Sequence, residues 1–169
     1  MQPDISPTTG KPFYSGSHKE VTEVAKALRL GGGAAVSPQQ CLSQEMVNRF
    51  QETVDRSIDG ILADTYFTPF VAMNRYMPDG TTKAVYPGEL VRAAKYWAAG
   101  LVLMAQYSSV DSNQNDWVNV IIEDAKKNVF RLRRLTQHLE GQKPKGSHWG
   151  HTMPPTMTPP VYPEGNDWI

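Results

Sequence analysis

The chain has 169 residues, enough for one domain with a segment to spare. Seventeen basic residues balance seventeen acidic ones, so the chain lacks the basic excess that a dedicated nucleic-acid binder usually carries. A single cysteine, Cys41, excludes an internal disulfide and a thiolate-rich zinc site.

Residues 1–16 hold Gln2-Pro3, Ser6-Pro7 and Lys11-Pro12 in quick succession and read as an extended N-terminal lead-in. A short first helix follows. Ser17 is its cap and Glu20 stands three residues on, the capping-box spacing. Val21, Val24, Ala25 and Leu28 share one face. Gly31-Gly32-Gly33 ends the helix, since glycine enters the left-handed region without a Cβ penalty. Cys41 reads as a small residue near the next helix start rather than a reactive thiol.

The second helix begins after Ser43, with Glu45 in its first turn. Met46, Val47, Phe50, Val54, Ile58, Ile61 and Leu62 form its apolar stripe. Each large side chain is worth about 1.5–3 kcal/mol when buried, so this stripe requires a partner surface. Asp55 and Asp59 lie one turn apart beside Arg56 and read as a solvated face. Residues 64–86 change character. Thr68-Pro69 breaks the helix, 70–77 is rich in Val, Tyr, Phe and Met, and Pro78-Asp79-Gly80 is a strong turn signal. Thr81–Tyr86 is again β-prone, so the segment predicts a hairpin-like excursion with Tyr76, Pro78, Asp79 and Gly80 exposed at its tip.

A third helix is predicted from Pro87 to about Tyr107. It is apolar nearly all round, with Ala93, Ala99 and Gly100 as small residues, and is therefore the central one. A polar loop, 108–115, leads to a fourth helix predicted from Asp116 to Glu140 and stopped by Gly141. Its acidic residues stand in the first half, and Lys126, Lys127, Arg131, Arg133 and Arg134 in the second, which complements the helix dipole. The same five residues are candidates to face DNA. The fold class expected is mainly α: a four-helix bundle over 17–141, a β-hairpin-like excursion between helices two and three, and an extended C-terminal arm over 142–169.

The arm contains six prolines and no periodicity, yet carries Trp149, Tyr162, Trp168 and Ile169. Proline lowers the entropy lost on binding and aromatics act as anchors, so these four residues are the predicted partner-binding positions. His148 and His151 form an H-x-x-H pair without a third ligand nearby, and Gly31-Gly32-Gly33 follows a helix rather than a strand, so neither a metal site nor a phosphate loop is assigned. No cofactor and no catalytic residue are nominated, and an enzyme is not expected. The N-terminus lacks an apolar signal region, and Leu90–Ala105, the most apolar stretch, includes Arg92 and Lys95 and falls short of the roughly 18–20 residues of a membrane span. A soluble product that makes no membrane contact is expected.

Three segments carry a family likeness: His18–Leu30, ending Ala27-Leu28-Arg29-Leu30; Val47–Leu62, with Val54-Asp55-Arg56-Ser57-Ile58-Asp59; and Tyr86-Pro87-Gly88-Glu89-Leu90, followed by the Ala-rich helix to Tyr107. Over about 17–141 the chain resembles the head–tail connector (adaptor) proteins of tailed double-stranded DNA bacteriophages. The resemblance implies a virion structural protein, made in the host cytoplasm and placed in the neck between head and tail. It implies a homo-oligomeric ring, often of twelve copies, beneath the portal, with genomic DNA passing through without sequence-specific contact. The arm from Gln142 to Ile169 would hold the portal protein, and the excursion would meet a neighbouring subunit or a further neck or tail protein. The alternative from the residues themselves is a DNA-binding regulatory protein that uses the basic end of helix four.

Overall fold

The computed structural model describes residues 4–31, 42–107 except 77, 79 and 81, 112–134, and 139–145 except 143. It is mainly helical with one small antiparallel sheet. The order is α1 (His18–Gly31), α2 (Gln44–Leu62), β1 (Met73–Tyr76), β2 (Thr82–Val85), α3 (Gly88–Tyr107) and α4 (Ser112–Arg133).

The helix starts follow from local chemistry. In α1 the Glu20 backbone N–H donates to Ser17 Oγ (3.3 Å), and the Ser17 N–H donates back to Glu20 Oε2 (3.1 Å), the reciprocal capping box. In α2 the Met46 N–H donates to Ser43 Oγ (3.3 Å). In α3 the Val91 N–H donates to the Pro87 carbonyl (3.0 Å), which puts Pro87 at the cap rather than at the first helical position.

The core lies around α3, which packs against all three other helices. Leu90, Ala94, Trp97, Ala98, Val102 and Leu103 are buried on it. Gly100 marks its closest approach to α4: a Cβ there would stand 2.5 Å from Ile122 Cγ1. In α2 the buried positions are Val47, Gln51, Val54, Ile58 and Leu62. Met46, expected in that stripe, is exposed, and Gln51 takes a core position instead. Its Nε2 donates to Ser15 Oγ (2.7 Å) and to the Gly16 carbonyl (2.8 Å), which makes its burial tolerable.

α4 departs from expectation at both ends. It begins at Ser112, because backbone hydrogen bonding does not require apolar periodicity, and it ends at Arg133. Leu139 is buried beyond the helix, and Gly141 turns the chain at φ +71°. A Cβ on Gly141 would collide with Met73 Sδ, so the turn packs directly on β1. β1 and β2 form the hairpin of the excursion, in the register Met73↔Val85 to Tyr76↔Thr82. The Thr68–Pro69 peptide bond before it is cis.

Two segment boundaries also differ. Residues 4–16 are not an extended lead-in but a closed strap. The Ser6 N–H donates to the Lys11 carbonyl (2.9 Å), Ile5 bridges Pro12, and Phe13 and Tyr14 are buried. At the other end, residues 142–145 belong to the body. Gln142 Nε2 donates to the Val71 carbonyl (3.0 Å), Lys145 Nζ donates to the Ala63 carbonyl (2.7 Å), and Tyr66 bridges Pro144. Proline lacks the N–H that a regular helix or ladder uses, but its carbonyl can still accept and its ring can still pack.

Candidate functional site

The strap is held to α2 by a polar network that patterning did not suggest. The Tyr14 backbone N–H donates to Asp55 Oδ2 (3.1 Å), and its hydroxyl donates to Asp59 Oδ1 (2.7 Å). The Phe70 N–H donates to the same hydroxyl (2.9 Å). The Tyr14 ring meets Tyr86 edge-on at 4.8 Å and Phe70 at 5.8 Å. Ser6 Oγ donates to Glu52 Oε1 (3.2 Å), Arg56 Nη2 to Thr8 Oγ1 (3.2 Å), and Tyr86 Oη to the Pro12 carbonyl (3.1 Å).

Asp55 and Asp59 are thus partnered through the strap and are not a solvated face. Burial raises both carboxyls above the usual range, Asp55 to about 8. Burial also lifts the Tyr14 phenol, with the Asp59 hydrogen bond adding to it, and pushes Tyr86 up to about 12. Asp55 Oδ1 is buried without a hydrogen-bond partner, which suits a protonated or water-bound carboxyl. The space beside these groups is only about 30 Å³, room for little more than a water. The network is therefore a clasp between strap and helix rather than a substrate site. Among the described residues, no group of three or more His, Cys, Asp and Glu is placed to hold a metal ion.

Exposed apolar side chains occur on several elements, among them Ile5, Met46, Val120 and Phe130, and three belong to the connection between α2 and α3. Phe67, Val71 and Tyr76 are 65, 67 and 75% exposed. Pro78 and Gly80 at the hairpin tip are exposed, and Asp79 lies outside the described residues. Lys145 Nζ stands 5.5 Å from the Phe67 ring centroid.

The five basic residues, four on α4 and Arg134 just past its end, separate into two groups. Lys126 pairs with Glu123 (2.8 Å) and lies 5.7 Å from the Trp97 ring centroid, while Arg133 pairs with Asp64 (2.7 Å). Lys127, Arg131 and Arg134 are spaced i, i+4, i+7 and share the exposed face, where Glu123 and Asp124 are also exposed. That face carries three cations against two acids, of which Glu123 is already paired with Lys126. Trp149, Tyr162, Trp168 and Ile169 lie outside the described residues, as do His148 and His151. No helix among the described residues is long and apolar enough to cross a membrane.

No protein-family model matches this chain, and neither a curated protein nor a solved structure is similar to it at a significant level.

Proposed function

We propose that the chain is an adaptor subunit of a tailed-phage neck. It assembles as a ring that joins the portal of the head to the tail and surrounds the DNA passage. The observation that carries the proposal is the exposure of three large apolar side chains, Phe67, Val71 and Tyr76, on the one connection between α2 and α3. Where such side chains form one contiguous patch they mark a contact surface. In a ring they would face a neighbouring subunit or the next neck component. The proline-rich segment after Lys145 would hold the portal through Trp149, Tyr162, Trp168 and Ile169. A whole-chain net charge of zero suits a passage that does not grip DNA.

Light scattering of the protein alone and mixed with a portal ring tests this. A ring forming unaided, or a large complex with the portal, is the expected result. A monomer that ignores the portal overturns it.

The second reading, a DNA-binding regulatory protein, is favoured by one observation: Lys127 and Arg131 are exposed one turn apart on α4, and Arg134 is exposed just past its end. It predicts duplex affinity that falls steeply with salt.

A further inference from the structure

An open cavity of about 540 Å³ lies between the hairpin and α3. Val85, Val91 and Tyr96 give it apolar walls, and among the described lining residues Arg75, Arg92 and Lys95 bring three cations against one acid, Glu140. Lys95 is shared with Glu20 at 3.4 Å, and the Arg92 guanidinium lies 6.0 Å from the Tyr96 ring centroid, so positive charge and aromatic surface meet at the rim. Pockets of this size, apolar within and carrying a few charges, suit one large anchoring side chain and its flanking residues.

The chain itself holds a segment of matching chemistry. The 24 residues after Lys145 contain no Lys or Arg, and their acids, Glu164 and Asp167, stand beside Trp168. The described body ends next to the cavity. Glu140 and Met73 line it, Gly141 packs on Met73, and Gln142 is tied to Val71. The sixteen residues from 146 to 161, at about 3.1 Å each when extended, reach roughly 50 Å. A 20-residue helix is only about 30 Å long, so the reach is ample.

We infer that residues 162–168 dock in the cavity between the hairpin and α3 of their own chain, with Trp168 as the anchor and Glu164 and Asp167 facing Arg75 and Arg92. Tethering makes the own-chain contact one of high effective concentration, which a second copy would have to outcompete. The docked segment includes residues proposed above to hold the portal. On that reading the contact keeps Trp168 covered until a portal displaces it.

The test is indole N–H NMR of the full chain, with the Trp168 signal assigned from Trp168→Phe. The expected signal is displaced from that of a free indole and unchanged on dilution. Arg75→Glu with Arg92→Glu should move it to the free position while the Trp97 and Trp117 signals stay in place. Glu164→Lys with Asp167→Lys, which leaves the body untouched, should release it as well, and the four changes together should restore docking. A free Trp168 signal in the natural chain, or one indifferent to both charge reversals, overturns the inference. A signal that changes on dilution overturns its own-chain form. This experiment needs no portal, so its failure and that of the adaptor proposal are told apart.

Discussion

Tyr14 links three parts of the chain through one side chain and one backbone N–H: the strap, α2 through Asp55 and Asp59, and the turn at Phe70. Tyr14→Phe keeps the ring contacts but leaves Asp59 and the Phe70 N–H without this partner. A loss of about 1–3 kcal/mol is expected from urea unfolding. Asp55 gives the network a pH dependence whose sign is fixed by its raised pKa. Its folded value of about 8 lies above the ordinary 3.8, so the unfolded chain releases this proton first as pH rises. The stability it contributes is complete below about pH 4 and is lost as pH climbs through 8. Asp59, also raised by burial, acts in the same direction. The urea midpoint should therefore fall between pH 5 and pH 8.5, and Asp55→Asn should flatten that fall; a midpoint rising over this window would contradict the buried, neutral carboxyl.

At the scale of elements, two helical glycines of similar appearance in sequence behave oppositely. Gly60 in α2 is exposed, and a Cβ there meets nothing within 4 Å. Gly60→Ala should gain about 0.5–1 kcal/mol from helix propensity. Gly100 in α3 lies against Ile122, so the same propensity gain is opposed by a Cβ only 2.5 Å from a branched side chain. Overpacking of this kind costs about 1–3 kcal/mol, and Gly100→Ala is expected to destabilise. Thermal melts of the pair read the contrast directly. The predicted caps, Ser17 and Ser43, and the two strands of the predicted hairpin lie in the described structure, because each depends on residues two to four positions apart or on one turn. The α4 bounds were not legible for the converse reason: residues 112–115 carry no apolar signal, and the helix stops at Arg133 although the apolar spacing continues to Leu139.

At the scale of the whole molecule, the described core draws on residues from Phe13 to Leu139, and the adaptor proposal assigns the segment after Lys145 to the portal. Removing residues 146–169 should leave the helical circular dichroism intact while abolishing the portal complex in light scattering; a truncated chain that assembles normally would rule the role out. Trp149→Ala and Trp168→Ala should each weaken portal binding by about 2–4 kcal/mol if they are hot spots, measured as affinity for the portal ring. In the rival reading, charge reversal of Lys127, Arg131 and Arg134 would instead remove a salt-dependent duplex affinity.

Taken alone, the sequence determined the helical class, the two serine caps, the central position of α3 and the break between α2 and α3. These rest on periodicity and on hydrogen bonds that close within one turn. Only the tertiary structure decided the fate of Asp55, Asp59 and Gln51, which read as ordinary polar positions on a helix. Their partners in the strap lie 35 to 45 positions away. Nothing in local patterning reports that distance, and a proline-rich strap advertises no core. Whether a carboxylate is solvated or buried is set by what the rest of the chain brings against it, and here that was Tyr14.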